Sequence, residues 1–169
     1  MGAPNSLKGF NLFVGVHSLI GVISSGTEPK LTMKTEDWQG GGMFSPAEMQ
    51  FGHEKLMLEF ALGGLESKIL KSFGSPRIDA EGFRLVGAYQ RDDGAGTDAV
   101  EITMRGRFSE ADFGNMEQSK PSDHKYKVSP VYYRRTVNGQ EEVLIDVFAG
   151  VFRIFGVDHM AEITSIITS

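Results

Sequence analysis

The chain has 169 residues, of which 40% are hydrophobic and 23% charged, a composition typical of a globular protein with one substantial core. Its formal net charge of −5 argues against a protein that binds duplex nucleic acid, because such proteins usually carry a basic face. It contains no cysteine, which excludes disulfides and thiolate metal sites.

The N-terminus, Met1 to Lys8, lacks the apolar core of a signal peptide, so we expect the chain to be made and folded in a cytoplasm. Asn11 to Val14 and His17 to Ile23 then predict a first pair of strands around Gly15-Val16. No apolar run approaches the ~20 residues that a membrane-spanning helix needs. The glycines fall mostly between short alternating segments, which is typical of an all-β chain.

The next segment, Pro29 to Met43, follows neither a helical nor a strand period. It contains the only tryptophan of the chain and three consecutive glycines. An ordinary surface loop is one interpretation. The alternative, which we favour, is an extended arm that buries its apolar side chains on a neighbouring subunit and uses the glycines as a hinge. The predicted arm residues are Pro29, Lys30, Leu31, Met33, Lys34, Glu36, Trp38, Gly40, Gly41, Gly42 and Met43.

Strict alternation returns at Ala47 to Phe51, which is expected to turn at Gly52-His53 and continue as a strand over Lys55 to Leu62. Leu65 to Phe73 changes to a spacing of four, with Gly74 and Pro76 after it. This predicts a short amphipathic helix.

Two more strands are predicted over Gly82 to Arg91 and Ala99 to Phe108, followed by a polar loop from Ser109 to Asp123. A long strand is expected over His124 to Val137. Asn138-Gly139 is the strongest hairpin signal of the chain, since both central residues of a type I′ turn need positive φ.

The chain is expected to end in two strands and a helix. Glu142 to Phe148 and Val151 to Phe155 predict the strands, and Val157 to Ile167 predicts the closing helix. The whole chain, residues 1–169, is therefore expected to form a single mainly-β domain with two short helices and an arm.

The sequence shows no pattern of catalytic residues. The four histidines are scattered, and none has a second ligand at metal-binding spacing. Asp92-Asp93-Gly94 with Asp98 lacks the alternate ligands and closing glutamate of a calcium loop, so a polar turn is the expected structure. No phosphate-binding glycine pattern and no nucleophile elbow occurs. A structural protein without cofactor or metal is the prediction.

Several segments occur in the order found in one known family. They are Asn11-Leu12-Phe13, Pro29-Lys30-Leu31, Lys34, Glu36, Gly41-Gly42-Met43, Gly87 to Asp93, Arg105-Gly106-Arg107, Tyr132-Tyr133, Val137-Asn138-Gly139, Ile145-Asp146, Gly156-Val157-Asp158 and Ala161-Glu162. Their order, rather than any one of them, resembles the major tail tube proteins of contractile-tailed bacteriophages, a family shared with R-type pyocin tubes.

The resemblance implies a β-sandwich or barrel subunit that stacks as hexameric rings, with strands pairing around a shared inner β-barrel. It implies a structural role without enzymatic activity: the channel for DNA ejection. The implied partners are the sheath, the baseplate or tail initiator, the tail terminator, the tape measure protein and, transiently, DNA in the lumen, with no membrane. The implied location is the virion tail, assembled in the host cytoplasm.

The channel wall is expected to be formed by polar strand faces that oppose apolar ones. The candidates are Glu48, Gln50, Lys55, Glu59, Arg84 and Gln90, whereas Glu101, Thr103, Arg105 and Arg107 could equally form an outer face.

Two other functions remain open from the sequence. One is the inner tube of a particle that carries no DNA genome, such as an R-type pyocin or a related injection system. The other is a small β-barrel binding module, which would display an exposed aromatic cluster. Its only candidates are Tyr126, Tyr132 and Tyr133.

Overall fold

The computed structural model describes residues 2–169. Met1, the first residue of the predicted N-terminus and of the predicted domain 1–169, lies outside them. The strands are β1 Asn5–Val14, β2 His17–Ser18, β3 Ile23–Thr27, β4 Met33–Trp38, β5 Ala47–His53, β6 Leu58–Leu62, β7 Glu81–Arg91, β8 Thr97–Asp112, β9 His124–Val137, β10 Gln140–Asp146, β11 Val151–Ile154 and β12 Val157–Asp158. A 3₁₀ helix, η1, spans Ser67–Ser72, and an α-helix, α1, spans Ala161–Thr168.

The sheet divides at β9. One edge of β9 pairs with β8 along most of its length, whereas its other edge pairs first with β6 and then with β10. The first half of β9 therefore belongs to a four-stranded layer, β3-β6-β9-β8. The second half belongs to an eight-stranded layer, β12-β11-β10-β9-β8-β7-β1-β2. All pairs are antiparallel.

The inner faces of the two layers pack on one core. Leu58 and Phe60 of the four-stranded layer and Leu12 and Phe83 of the eight-stranded layer are at most 3% exposed. Aromatic contacts run through this core: the Phe60 ring stacks on Tyr126 of the neighbouring strand β9 at 5.2 Å, and Phe83 of β7 meets Phe108 of β8 edge-on at 5.5 Å. This curled, mainly-β architecture confirms the predicted fold class.

The long strands and their turns lie where the sequence predicts them. β9 has the predicted bounds, and the Asn138-Gly139 turn has φ values of +51° and +81°, as a type I′ turn requires. β8 runs past Phe108 to Asp112, because its last residues pair with Lys125 to Lys127 of β9. The polar loop is accordingly shorter than expected.

Both predicted helices differ from expectation. Leu65 to Phe73 contains only the six-residue 3₁₀ helix. Because a 3₁₀ helix has three residues per turn, residues that are four apart do not lie on the same side of it. Ile69 is buried, whereas Leu65 and Phe73 are exposed. The closing helix begins at Ala161, after Asp158 accepts hydrogen bonds from the backbone N–H groups of Phe152 and Met160. In residues 2–169 no helix combines the length and apolarity needed to cross a bilayer.

Gly106 allows the closest approach of the two central strands. A β8 bulge begins at this residue, and a Cβ here would lie 2.5 Å from the Ser129 carbonyl oxygen and 2.7 Å from the Pro130 Cα. Gly9 of β1, by contrast, has open space where its Cβ would be.

Gly106→Ala should lower the free energy of unfolding by about 1–3 kcal/mol, because the β9 backbone has to move away. Urea denaturation of the free subunit measures this. Gly9→Ala is the matched control and should leave the unfolding midpoint unchanged or raise it. Equal midpoints for both variants would show that this close approach does not constrain the fold.

Candidate assembly surfaces

The predicted arm is one strand of a hairpin. β4 and β5 pair with each other, and in residues 2–169 neither joins the main sheet. Ala47 to Phe51 was expected to turn back into Lys55 to Leu62. It pairs instead with β4, with Trp38 opposite Ala47 and Asp37 opposite Glu48. The predicted arm, residues 29–43, therefore covers only part of this hairpin, which continues through His53.

The hairpin has two unlike faces. Trp38, Met49 and Phe51 are 61%, 47% and 62% exposed and, with Glu36, border a shallow hollow of about 300 Å³. The opposite face carries the register pairs Thr35–Gln50 and Asp37–Glu48. An exposed apolar face of this kind on a two-stranded ribbon is a marker of an interaction surface.

The three glycines lie at the tip of the hairpin. The backbone N–H of Met43 donates to the Gly40 carbonyl at 3.3 Å, the Gln39 side chain donates to the Met43 carbonyl at 3.0 Å, and Gly42 has a φ of +83°. A hinge has to lie between the parts that move. The prediction that Gly40, Gly41 and Gly42 form a hinge between arm and body is therefore wrong, and they form the turn that joins β4 to β5.

Three contacts hold the hairpin root. Arg135 of β9 donates to Glu28 at 2.6 Å, directly before Pro29, which is buried. The Glu54 backbone N–H donates to the Thr32 carbonyl at 2.7 Å. The His53 ring stacks on Phe152 at 5.6 Å.

The ion pair at the root is electrostatically strong. Burial by itself lowers the pKa of the Arg135 guanidinium, but the hydrogen bonds and charges of Glu28 and Tyr133 together outweigh burial and raise that pKa above its ordinary value. The predicted arm residues nearest the root, Lys30 and Leu31, are exposed.

The four-stranded layer has two open edges. β3 pairs only with β6 among the described residues, and its other edge has no strand beside it. β8 pairs with β7 only as far as Gly106, so within residues 2–169 the part of β8 beyond Gly106 has a strand partner on one side alone. Open edges of this kind present unpaired backbone groups to another chain.

The outward face of this layer consists of two cross-strand rows. The first row runs Thr27, Glu59, Lys127, Glu110 and the second Ser25, Ala61, Lys125, Asp112, each in the order β3, β6, β9, β8. These eight residues line a hollow of about 360 Å³. The outward face is therefore concave and polar, although the core residues Phe60 and Tyr126 also border the hollow.

In the first row one lysine lies between two carboxylates. The Lys127 ammonium is 3.4 Å from Glu110 and 3.7 Å from Glu59. All three side chains are about half exposed: Lys127 to 47%, Glu110 to 54% and Glu59 to 48%.

The eight-stranded layer has a different outward face. Arg84 of β7 lies 3.1 Å from Glu101 of β8, and its guanidinium sits over the Phe13 ring at 4.7 Å. Glu141 is shared by two arginines, Arg134 at 3.5 Å and Arg153 at 3.4 Å.

The six predicted channel residues do not share one surface. Glu59 lies on the concave face of the four-stranded layer, and Arg84 and Gln90 lie on β7 of the other layer. Glu48 and Gln50 belong to the hairpin, and Lys55 lies in the connection from β5 to β6.

Sequence reasoning missed most of the concave face. The residues missed are Ser25, Thr27, Ala61, Glu110, Asp112, Lys125 and Lys127. Alternation along β9 places Lys125 and Lys127 on one side, but only the strand register shows which residues lie beside them.

The acidic turn after β7 is held by local bonds. Lys8 pairs with Asp92 at 2.7 Å, and Asp93 accepts hydrogen bonds from the backbone N–H groups of Ala3 and Ala95. Hydrogen bonds from Asn138 and Asn5 lower the pKa of the Asp98 carboxyl below its usual range. Among the described residues no group of three or more histidine or carboxylate side chains is placed to hold a metal ion.

A sheet with two open edges and a hairpin with an exposed apolar face are features of a structural protein that contacts other chains. Residues 4–167 match the family model described as phage tail tube protein FII, and the chain belongs to this family. The prediction of a phage tail tube subunit, a structural protein rather than an enzyme, is confirmed.

Two curated relatives match nearly the whole chain. The tail tube protein of Escherichia phage P2 is 38% identical over 165 residues, which cover 96% of each chain. The major tail tube protein of Serratia phage KSP20 is 32% identical over 155 residues, covering 90% of this chain and 89% of the relative.

Two solved structures share the fold. They are a sheath/tube terminator and a sheath-tube complex of an extracellular contractile injection system, PVC, both in the extended state. Each has a TM-score of 0.59, 8% sequence identity and 79% coverage of this chain, with 96% and 91% coverage of the matched chains.

Trp38→Ala should change the free energy of unfolding of the free subunit by less than about 0.5 kcal/mol, because the side chain is 61% exposed. Urea denaturation followed by far-UV circular dichroism measures it. Leu58→Ala, at a residue with no exposed surface, is the control and should cost about 2–5 kcal/mol. A comparable loss for Trp38→Ala would place this residue in the core of its own domain.

Proposed function

We propose that six copies of this chain form a ring, that rings stack into a tube, and that the tube is the channel for DNA ejection. The observation that carries the proposal is the pair of open edges on the four-stranded layer. β3 and β8 run in opposite directions, because each of the three pairings across the layer is antiparallel. β3 of one copy can therefore continue the antiparallel sheet at the β8 edge of the next.

The two edges are chemically compatible. Pairing them extends the row Thr27, Glu59, Lys127, Glu110 of one copy so that Glu110 meets Thr27 of the next. A hydroxyl beside a carboxylate can donate a hydrogen bond, and no like charges are brought together. The eight-stranded layer ends instead in strands of two residues, β2 and β12, which are too short to pair extensively.

In this arrangement the concave face of the four-stranded layer is the channel wall. The inside of a closed barrel is concave, as this face is. Glu59 keeps its proposed place in the channel. Arg84 and Gln90 are assigned to the outer side of the ring, and Glu48, Gln50 and Lys55 to the arm and its root.

The hairpin is proposed to dock on a neighbouring copy and so to connect rings. Fully burying a large apolar side chain contributes about 1.5–3 kcal/mol, and Trp38, Met49 and Phe51 are available for this. A head-to-tail contact that does not close on itself grows into a filament. The chain, residues 1–169, would then act as one domain with one arm.

The proposed partners follow from the tube. They are the sheath, the baseplate or tail initiator, the tail terminator, the tape measure protein and DNA in the lumen, with assembly in the host cytoplasm and no membrane. The curated relatives come from phages, which supports a genome-carrying tail over a genome-free particle. Tyr126 and Tyr133 are buried, which removes the tyrosine cluster that a binding module would need.

The purified chain at high concentration, with tail initiator components added, should form tubes with a central channel and no added nucleotide or metal. Electron microscopy and light scattering measure this. Trp38→Ala should slow tube growth, because each new ring loses a buried anchor, while the subunit stays folded. Strictly monomeric wild-type protein would overturn the proposed function, and normal growth of the variant would remove Trp38 from the contact.

Because the chain has no cysteine, the edge pairing can be tested by cross-linking. The test variant combines Thr27→Cys with Glu110→Cys, and its assembled tubes are treated with a short bismaleimide. The treatment should give a ladder of covalent oligomers that ends at the size of one ring. Denaturing gels read the result. Thr27→Cys combined with Arg84→Cys is the control and should give no ladder. A ladder from the control pair alone would place the contact on the other layer.

A further inference from the structure

This inference rests on the proposed function: we propose that Glu59 and Glu110 prevent the channel wall from binding DNA. They neutralise Lys127 and so keep its ammonium from binding the phosphates of the passing strand. The two glutamates are thus specificity-determining residues of the wall: the class of ligand that they exclude is the phosphodiester backbone.

The ion pairs of this row are poor candidates for a stabilising role. Each of the three side chains is about half exposed, and exposed ion pairs contribute only about 0–1 kcal/mol. Lys127 nevertheless has a carboxylate on both adjacent strands, at 3.4 Å and 3.7 Å. The row therefore contains two carboxylates and one ammonium, so its net charge is negative.

In the second row a carboxylate lies on one side of the lysine only. Lys125 lies between Ala61 and Asp112 in the register. Both lysines of the concave face thus have a carboxylate as a cross-strand neighbour. The face as a whole carries Glu59, Glu110 and Asp112 against these two lysines, which makes it slightly negative.

The outward face of the eight-stranded layer has the opposite ratio. There a single carboxylate, Glu141, is shared by Arg134 and Arg153. On the concave face a single ammonium is shared by two carboxylates. The excess of carboxylates over ammonium groups therefore occurs on the concave face, which is the proposed channel wall.

The physical consequence is large because a tube repeats each wall residue many times. Every unpaired lysine that contacts a phosphate releases a counterion and adds to a salt-dependent affinity. Such contacts along a channel would hold the strand that has to move through it. A phosphate that approaches Lys127 meets two carboxylates within a Debye length, about 8–10 Å at physiological salt, and is repelled.

The test compares assembled tubes of four kinds: wild type, E59Q/E110Q, E59Q/E110Q/K127Q, and the control E101Q/E141Q. The control makes the same change in charge but frees arginines of the other layer. The probe is a short fluorescent single-stranded oligonucleotide. Its retention is measured by co-sedimentation with the tubes over ~0.05–0.2 M salt, after nuclease has removed whatever is bound outside.

E59Q/E110Q tubes should retain about tenfold more protected oligonucleotide than wild type at the lowest salt, and the excess should fall steeply as salt rises. The added Lys127→Gln change should return retention to the wild-type level, and the control should not exceed it. If E59Q/E110Q does not assemble, Glu110→Gln alone takes its place, with a smaller increase in the same direction.

Three results would overturn the inference: no increase for E59Q/E110Q, an increase that survives Lys127→Gln, or an equal protected increase for the control. All three presuppose tubes, so the inference can fail while the proposed function stands. If the wild-type chain forms no tubes at all, the proposed function fails, and this inference fails with it.

Discussion

The backbone pairing of β9 is the constraint on which the rest of the molecule depends. Its first five residues pair with β6, and its last residues pair with β10, while β8 follows its other edge. One strand thereby belongs to two layers that diverge, and the bulges in β8 near Gly106 and Phe108 supply the bend. The shared core, the concave polar face and the two open edges all result from this division.

A subunit built in this way is incomplete by itself. Backbone groups along β3 and the end of β8 lack a strand partner within residues 2–169, and the hairpin exposes Trp38 and Phe51. Both features are costly in an isolated domain and favourable in an assembly, because unpaired edges and apolar patches are satisfied by another copy. In the proposed tube, assembly follows from how the sheet ends.

The predictions that succeeded depend on residues close together in sequence, whereas those that failed depend on contacts between distant segments. The Asn138-Gly139 turn and the bounds of β9 follow from local rules, namely positive φ and a period of two. The α-helix expected over Leu65 to Phe73 failed because the four-residue spacing was read as one apolar helix face, whereas only Ile69 is buried and residues 67–72 form a 3₁₀ helix. The glycines of the arm were recognised as a backbone feature but placed at the wrong end, since the partner of β4 was unknown.

The sequence by itself determined that the protein is mainly β, where its long strands and tightest turn lie, that it has no cysteine chemistry, and which family it resembles. Only the tertiary structure decided that β5 pairs with β4, that Glu59, Lys127 and Glu110 form one row, and that Arg84 and Gln90 lie on a different layer. The reason is physical. Alternation shows which residues of one strand share a side, whereas the register between strands distant in sequence depends on the packing of the whole core.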